Sequence, residues 1–152
     1  MSATANLFPI SVHAECPAGT LSRVTARSFE MVIDEPPEDG GEDRGPRPLE
    51  ALLAALASCS NVIGRRIADE LGITVDRLSI DVTGKLDYRG IEGSAQVTTP
   101  FPEVSFAVEL VGDASPEQIE TLKLELARRC PVQVLMREAG SVFSETWSIA
   151  RP

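Results

Sequence analysis

Seven consecutive apolar residues, Ala51-Leu52-Leu53-Ala54-Ala55-Leu56-Ala57, constrain this chain's fold more than any other feature. They sit near the start of a helical pattern. Pro48 suits a first helical turn, because the N–H it lacks is not needed there. The pattern runs on through residues 49–71 and closes at Gly72, a residue type that ends helices easily. The 24 positions from 48 to 71 would span roughly 36 Å at 1.5 Å per residue. A helix that is apolar all round is buried all round, and 152 residues do not readily surround one unaided. The expectation is one domain over residues 1–152 built about a long central helix, with a second copy of the chain completing its burial.

The flanking segments predict a mixed α+β fold. Residues 1–19 hold two prolines and little periodicity and read as mostly irregular. Residues 21–34 carry the strand formers Val24, Phe29, Val32 and Ile33, with a hairpin break near Arg27 and Ser28. Residues 35–47 are acidic and rich in Pro and Gly, which excludes a long helix or a strand and predicts a loop. Residues 78–88 alternate cleanly as a strand with one wet face, and residues 104–111 read as a second strand. The stretch 89–103 between them reads as a loop or irregular edge. Ser115-Pro116-Glu117-Gln118 is a helix start with a cap, a first-turn proline and a glutamine three residues on. Ile119, Leu122 and Leu126 share one face of that helix. Pro131 breaks it and restarts a short one through Met136, and residues 142–149 form a last strand. The sheets are expected to be antiparallel or mixed.

Charge and composition exclude several function classes. A formal charge of -9 disfavours nucleic acid and anionic membrane as partners. No apolar run reads as a membrane span, no signal-like leader is visible, and the expected location is the cytoplasm. Three cysteines and one histidine, His13, fit no zinc pattern and no disulfide framework, so neither a metal nor a cofactor is expected.

The thiols carry what chemistry the residues suggest. Cys59 lies at helical spacing with Leu52, Leu56 and Ile63, which suits a small buried hydrophobe as well as a working thiol. Cys130 precedes Pro131 at a helix start, where backbone N–H groups favour a thiolate, and Arg128 and Arg129 add positive charge. A structural cysteine at a helix junction would read the same way. Cys16, beside Pro17, reads as incidental. The acidic 35–47 segment lacks calcium-loop spacing and is a poor cradle for phosphate despite Gly40-Gly41.

Three features in order resemble one family: Asp34-Glu35-Pro36-Pro37-Glu38 with Gly40-Gly41, then Gly45-Pro46 and Pro48-Leu49-Glu50 leading to Cys59, then Arg129-Cys130-Pro131-Val132. Together they are similar to the OsmC/Ohr superfamily of osmotically inducible and organic hydroperoxide resistance proteins, in its OsmC-like branch. The resemblance implies an intertwined α+β homodimer with its central helices buried at the interface. It implies a thiol peroxidase of oxidative stress defence that reduces organic hydroperoxides. In that reading Cys59 attacks the peroxide and becomes a sulfenic acid, and Cys130 resolves it as an intrachain disulfide. An external dithiol or small thiol then restores both.

Two auxiliary groups are expected from the same resemblance. The family's peroxidases carry a glutamate directly after the helix-starting proline, where this chain has Leu49, with the carboxylate at Glu50 instead. Glu50 stands nine residues before Cys59, on the opposite side of a straight helix and roughly 13 Å away along its axis. It would reach a cysteine only across a dimer whose central helices cross antiparallel near Ala54 and Ala55. The family's arginine comes from the N-terminal strands, where Arg27 and Arg23 are available. The displaced glutamate motivates an alternative, a non-catalytic OsmC-like protein binding a small apolar ligand at the dimer interface. A third possibility is redox sensing through the same thiols.

Overall fold

In the computed structural model, residues 6–151 are described. The chain forms two compact units, one ending at Ala51 and one beginning at Leu52. The expectation for residues 1–5 lies outside the described residues.

The N-terminal unit is a three-stranded antiparallel sheet in the order β1-β2-β3, with β1 at His13–Glu15, β2 at Ser22–Ala26 and β3 at Phe29–Ile33. Ala26 pairs with Phe29, so Arg27 and Ser28 are the two turn residues, as the hairpin break predicts. Arg27 takes the left-handed conformation, φ 57°, that a tight two-residue turn demands. The short β1 corrects the irregular reading of residues 1–19. It pairs along the free edge of β2, and three residues are too few for periodicity to reveal.

The acidic loop is a fixed element, and one buried carboxylate fixes it. Asp34 accepts hydrogen bonds from Thr20 Oγ1 (2.6 Å) and from the N–H groups of Glu35 (2.9 Å), Glu42 (3.1 Å) and Arg44 (3.3 Å). A single 3-10 turn at Pro37–Asp39 is its only helical piece. A Cβ on Gly41 would stand 1.7 Å from the Glu35 carbonyl oxygen, and one on Gly45 would stand 2.2 Å from that of Val32. Only glycine fits either position. Arg47 reaches Glu35, Glu38 and Asp39, so part of the acidity is answered within the loop.

Helix α1, Pro48–Glu70, starts in this unit and provides the first element of the next. It ends where the sequence indicates, with Gly72 left-handed at φ +69°. A mixed sheet follows in the order β4-β5-β6, with β4 at Thr74–Lys85, β5 at Glu103–Asp113 and β6 at Val142–Ala150. β4 and β5 are antiparallel, whereas β5 and β6 are parallel. The parallel pair needs a crossover, which α3 (Pro116–Arg129) and α4 (Pro131–Glu138) supply. The loop expected over residues 89–103 contains one helical turn, α2 at Arg89–Glu92. Four residues are too few to leave a helical pattern.

The core of this unit lies between sheet and helices. Val104, Phe106, Val108 and Leu110 alternate along β5 and are buried, as are Leu56, Ile67 and Ala68 of α1 and Ile119, Leu122 and Leu126 of α3. The α3 cap forms as its sequence predicts, with Ser115 and Gln118 bonded reciprocally.

Within the chain, α1 is buried on one side only. Leu52 remains 40% and Val62 59% exposed. The membrane-span reading also needs correcting: by length and composition α1 is long and apolar enough to cross a bilayer. Apolar residues continue through Val62 and Ile63 beyond the initial run, and Leu56, Ile67 and Ala68 spend theirs on the core.

Asp34 yields a prediction with a definite sign. The Thr20 hydroxyl is the strongest influence on it; burial opposes, but with the three backbone donors the net effect holds its carboxyl below the ordinary 3.8. A lowered folded-state value means stability present above about pH 4 and lost as pH falls through the folded value. Amide exchange at Glu42 and Arg44 is therefore expected to accelerate on acidification below pH 4, and Asp34→Asn should show that acceleration already at pH 7. Exchange at these two amides that ignores both changes would contradict the assignment.

Candidate thiol site

All the side chains of the described site lie in the C-terminal unit. Cys59 is on α1 and is partly exposed, while Cys130 is fully buried. The two thiols are neighbours, and both Cys130 and the Val132 N–H stand close enough to Cys59 to influence its titration. Two residues 71 positions apart in sequence are thus brought together. The reason is local: Pro131 cannot continue α3, so the backbone turns extended at Cys130 (φ -74°, ψ 112°) and α4 begins at once.

That junction revises the sequence reading of Cys130 in two ways. The residue occupies the N-cap position of α4, but its side chain makes no cap hydrogen bond. The first turn of α4 instead offers the Val132 N–H to Cys59, so the anion-favouring end of the helix serves the other thiol. The neighbouring arginines are also spoken for. Arg128 pairs with Glu125, and Arg129 pairs with Glu70 and Glu125. Alternating charge along α3 turned both guanidinium groups toward carboxylates.

Burial pushes the Cys59 thiol above its ordinary 9.0, and the hydrogen bond to Cys130 and that sulfur's charge push the same way. The Val132 N–H opposes them. The net effect holds the Cys59 thiol above its ordinary value.

Behind Cys130 stands a polar group that the sequence did not single out. Ser60 Oγ is 3.7 Å from Cys130 Sγ and accepts a hydrogen bond from Gln133 Nε2 at 3.2 Å. Ser60 and Gln133 are both buried. Gln133 Oε1 in turn accepts from Arg137 at 3.4 Å, and Arg137 pairs with Glu145 and lies 4.0 Å over the Phe143 ring. A serine beside Cys59 and a glutamine three residues after Cys130 are ordinary in sequence. Only their burial marks them.

Glu50 accepts the Arg47 N–H at 2.9 Å, the returning half of a capping box at the start of α1. Arg27 sits at the hairpin tip of the N-terminal unit, 5.0 Å over the Phe29 ring, and Arg23 approaches Glu30. Cys16 is exposed and near Ser22. His13 approaches only Glu15, at 4.0 Å. Among the described residues no cluster of His, Cys, Asp or Glu could hold a metal.

A model of OsmC-like proteins matches residues 40–145, more than half of the chain and including both thiols. The chain belongs to the OsmC-like family. No curated protein matches this OsmC-like chain in sequence. Solved structures share its fold. An OsmC-like protein from Mycoplasma pneumoniae is 19% identical with a TM-score of 0.79, covering 94% of this chain and 98% of its own. An organic hydroperoxide resistance protein OsmC from Legionella pneumophila is 17% identical with a TM-score of 0.68, covering 96% and 99%. An organic hydroperoxide resistance protein from Elizabethkingia anophelis is 14% identical with a TM-score of 0.67, covering 98% and 100%. At these identities the likeness is one of fold.

The thiol geometry predicts how Cys59 reacts. Its alkylation rate by iodoacetamide should still be rising with pH at pH 9. Cys130→Ala removes two of the three influences that raise it, so the profile should move to lower pH. An unmoved profile, or one moved upward, would contradict the influence of Cys130 on Cys59.

Proposed function

We propose that this OsmC-like protein is a thiol peroxidase that reduces organic hydroperoxides in oxidative stress defence. The observation that carries the reading is the pair of neighbouring thiols, one partly exposed on α1 and one buried where α4 begins. In the first step the Cys59 sulfur attacks the distal peroxide oxygen, the O–O bond breaks, and the alkoxide leaves as alcohol. Sulfur is left as sulfenic acid. Cys130 then displaces the sulfenic oxygen as water and closes the disulfide. An external dithiol or small thiol supplies the two electrons that reopen it, and no bound cofactor takes part.

Because Cys59 is a raised thiol in the single chain, the reading requires a cation to favour its thiolate. We assign that role to Arg27, with Glu50 as the accompanying carboxylate, on the family resemblance. The half-exposed apolar side of α1 supports a homodimer, and we place the protein in the cytoplasm on the family resemblance and its reduced, unpaired thiols. Sedimentation should show a dimer, and Val62→Glu should shift it toward monomer.

Purified protein with a lipoyl dithiol should consume cumene hydroperoxide. Cys59→Ser should abolish turnover, Cys130→Ser should stop it after about one equivalent with a dithiol reductant, and Arg27→Met should lower kcat/KM by about 100-fold or more, the scale of a lost charge partner to a reacting group. No turnover in wild type, with thiols unmodified after peroxide, would reject the enzyme. It would favour the second reading, a binder of a small apolar ligand, which the raised Cys59 thiol and the helix-capping use of Glu50 support.

A further inference from the structure

The polar group behind Cys130 has a direction. Arginine can only donate, so Gln133 must turn its Oε1 toward Arg137 and its Nε2 toward Ser60. An amide nitrogen also only donates, so Ser60 Oγ is the acceptor there, and its own hydrogen is free for another partner. Cys130 Sγ lies 3.7 Å from that oxygen, within the range of a hydrogen bond to sulfur. Two links therefore have a fixed direction, from the guanidinium to the amide and from the amide to the hydroxyl; in the third either partner can donate while Cys130 keeps its hydrogen, and Ser60 alone can donate once that hydrogen has gone. Ser60, Gln133 and Cys130 are each at most 1% exposed, so water does not substitute for a missing link.

We propose that Arg137, Gln133 and Ser60 form a one-way donor chain that positions Cys130 and stabilises its sulfur as it attacks Cys59. This rests on the peroxidase reading for its place in a cycle, and it names which residues govern the second step. In that step the Cys130 S–H and the Cys59 S–OH become one S–S bond and one water. The Cys130 sulfur is oxidised, the Cys59 sulfur is reduced, and the departing thiol proton leaves with the sulfenic oxygen. Negative charge gathers on Cys130 Sγ as that proton goes. With that proton gone the sulfur can only accept, and the Ser60 hydroxyl, one of whose two lone pairs is taken by Gln133 Nε2, can turn its hydrogen to it. The charged groups nearby are Cys59 on α1, Arg137 on α4 with its partner Glu145 on β6, and Arg128 and Arg129 of α3, both held by carboxylates. None of these cations touches Cys130 directly. The serine hydroxyl is the polar group that does.

Gln133→Glu tests the direction. It keeps shape and strengthens the pairing with Arg137, so a purely structural role predicts little change. A carboxylate there would instead claim the Ser60 hydrogen and withdraw it from Cys130. Disulfide closure should slow by about tenfold, the factor that one net hydrogen bond corresponds to, while formation of the Cys59 sulfenic acid keeps its rate. Dimedone-trapped Cys59 should accumulate accordingly. Ser60→Ala should behave alike. Diamide provides the arm that does not depend on peroxide: it adds to Cys59 as a sulfenylhydrazine, and Cys130 must expel the hydrazine to close the same bond. Slowed closure with diamide in Gln133→Glu upholds the chain even where wild type fails to react with peroxide. Closure at the wild-type rate in Gln133→Glu overturns it, whichever oxidant is used.

Discussion

The break between Cys130 and Pro131 is the constraint on which the site depends. Proline denies α3 its next hydrogen bond, and the extended turn at Cys130 lets α4 begin immediately. A continuous helix would have carried Cys130 on past the core with its sulfur set by a 100° step. The interruption holds that sulfur against α1 and aims the opening N–H of α4 at Cys59. The same two helices form the crossover that makes β6 parallel to β5. One imino acid therefore serves the topology and the chemistry together.

The electrostatics of the site follow from burial more than from nearby charge. α3 is laced with Glu125, Arg128 and Arg129, and α1 ends in Glu70. These charges satisfy one another at the surface, leaving the thiols facing neutral dipoles: a backbone N–H, a serine hydroxyl and a glutamine amide. Desolvation then dominates Cys59 and keeps its proton on. A reactive thiolate would need a further cation beside it.

Fold and site were unequally legible in the sequence. The hairpin at Arg27 and Ser28, the long helix closing at Gly72, the Ser115 cap and the Pro131 break all rest on local rules, and all appear in the structure. Short elements without periodicity did not announce themselves, as with His13–Glu15 and Arg89–Glu92. The family was legible because three local motifs stand in order. The recipient of the α4 N–H was not, because that depends on the approach of α1 rather than on anything near Cys130.

By itself the sequence determined the types of the longer elements, the glycine that closes the long helix, and which two thiols were worth watching. Those are consequences of backbone sterics and of hydrophobic period, which act over a few residues. Only the tertiary structure decided that Asp34 organises the Pro- and Gly-rich loop, that Arg128 and Arg129 are neutralised, and that Ser60 and Gln133 stand behind Cys130. These facts arise from hydrogen bonds and desolvation between segments up to 73 positions apart. Such interactions are directional and short-ranged, so they exist only once packing has brought the partners together.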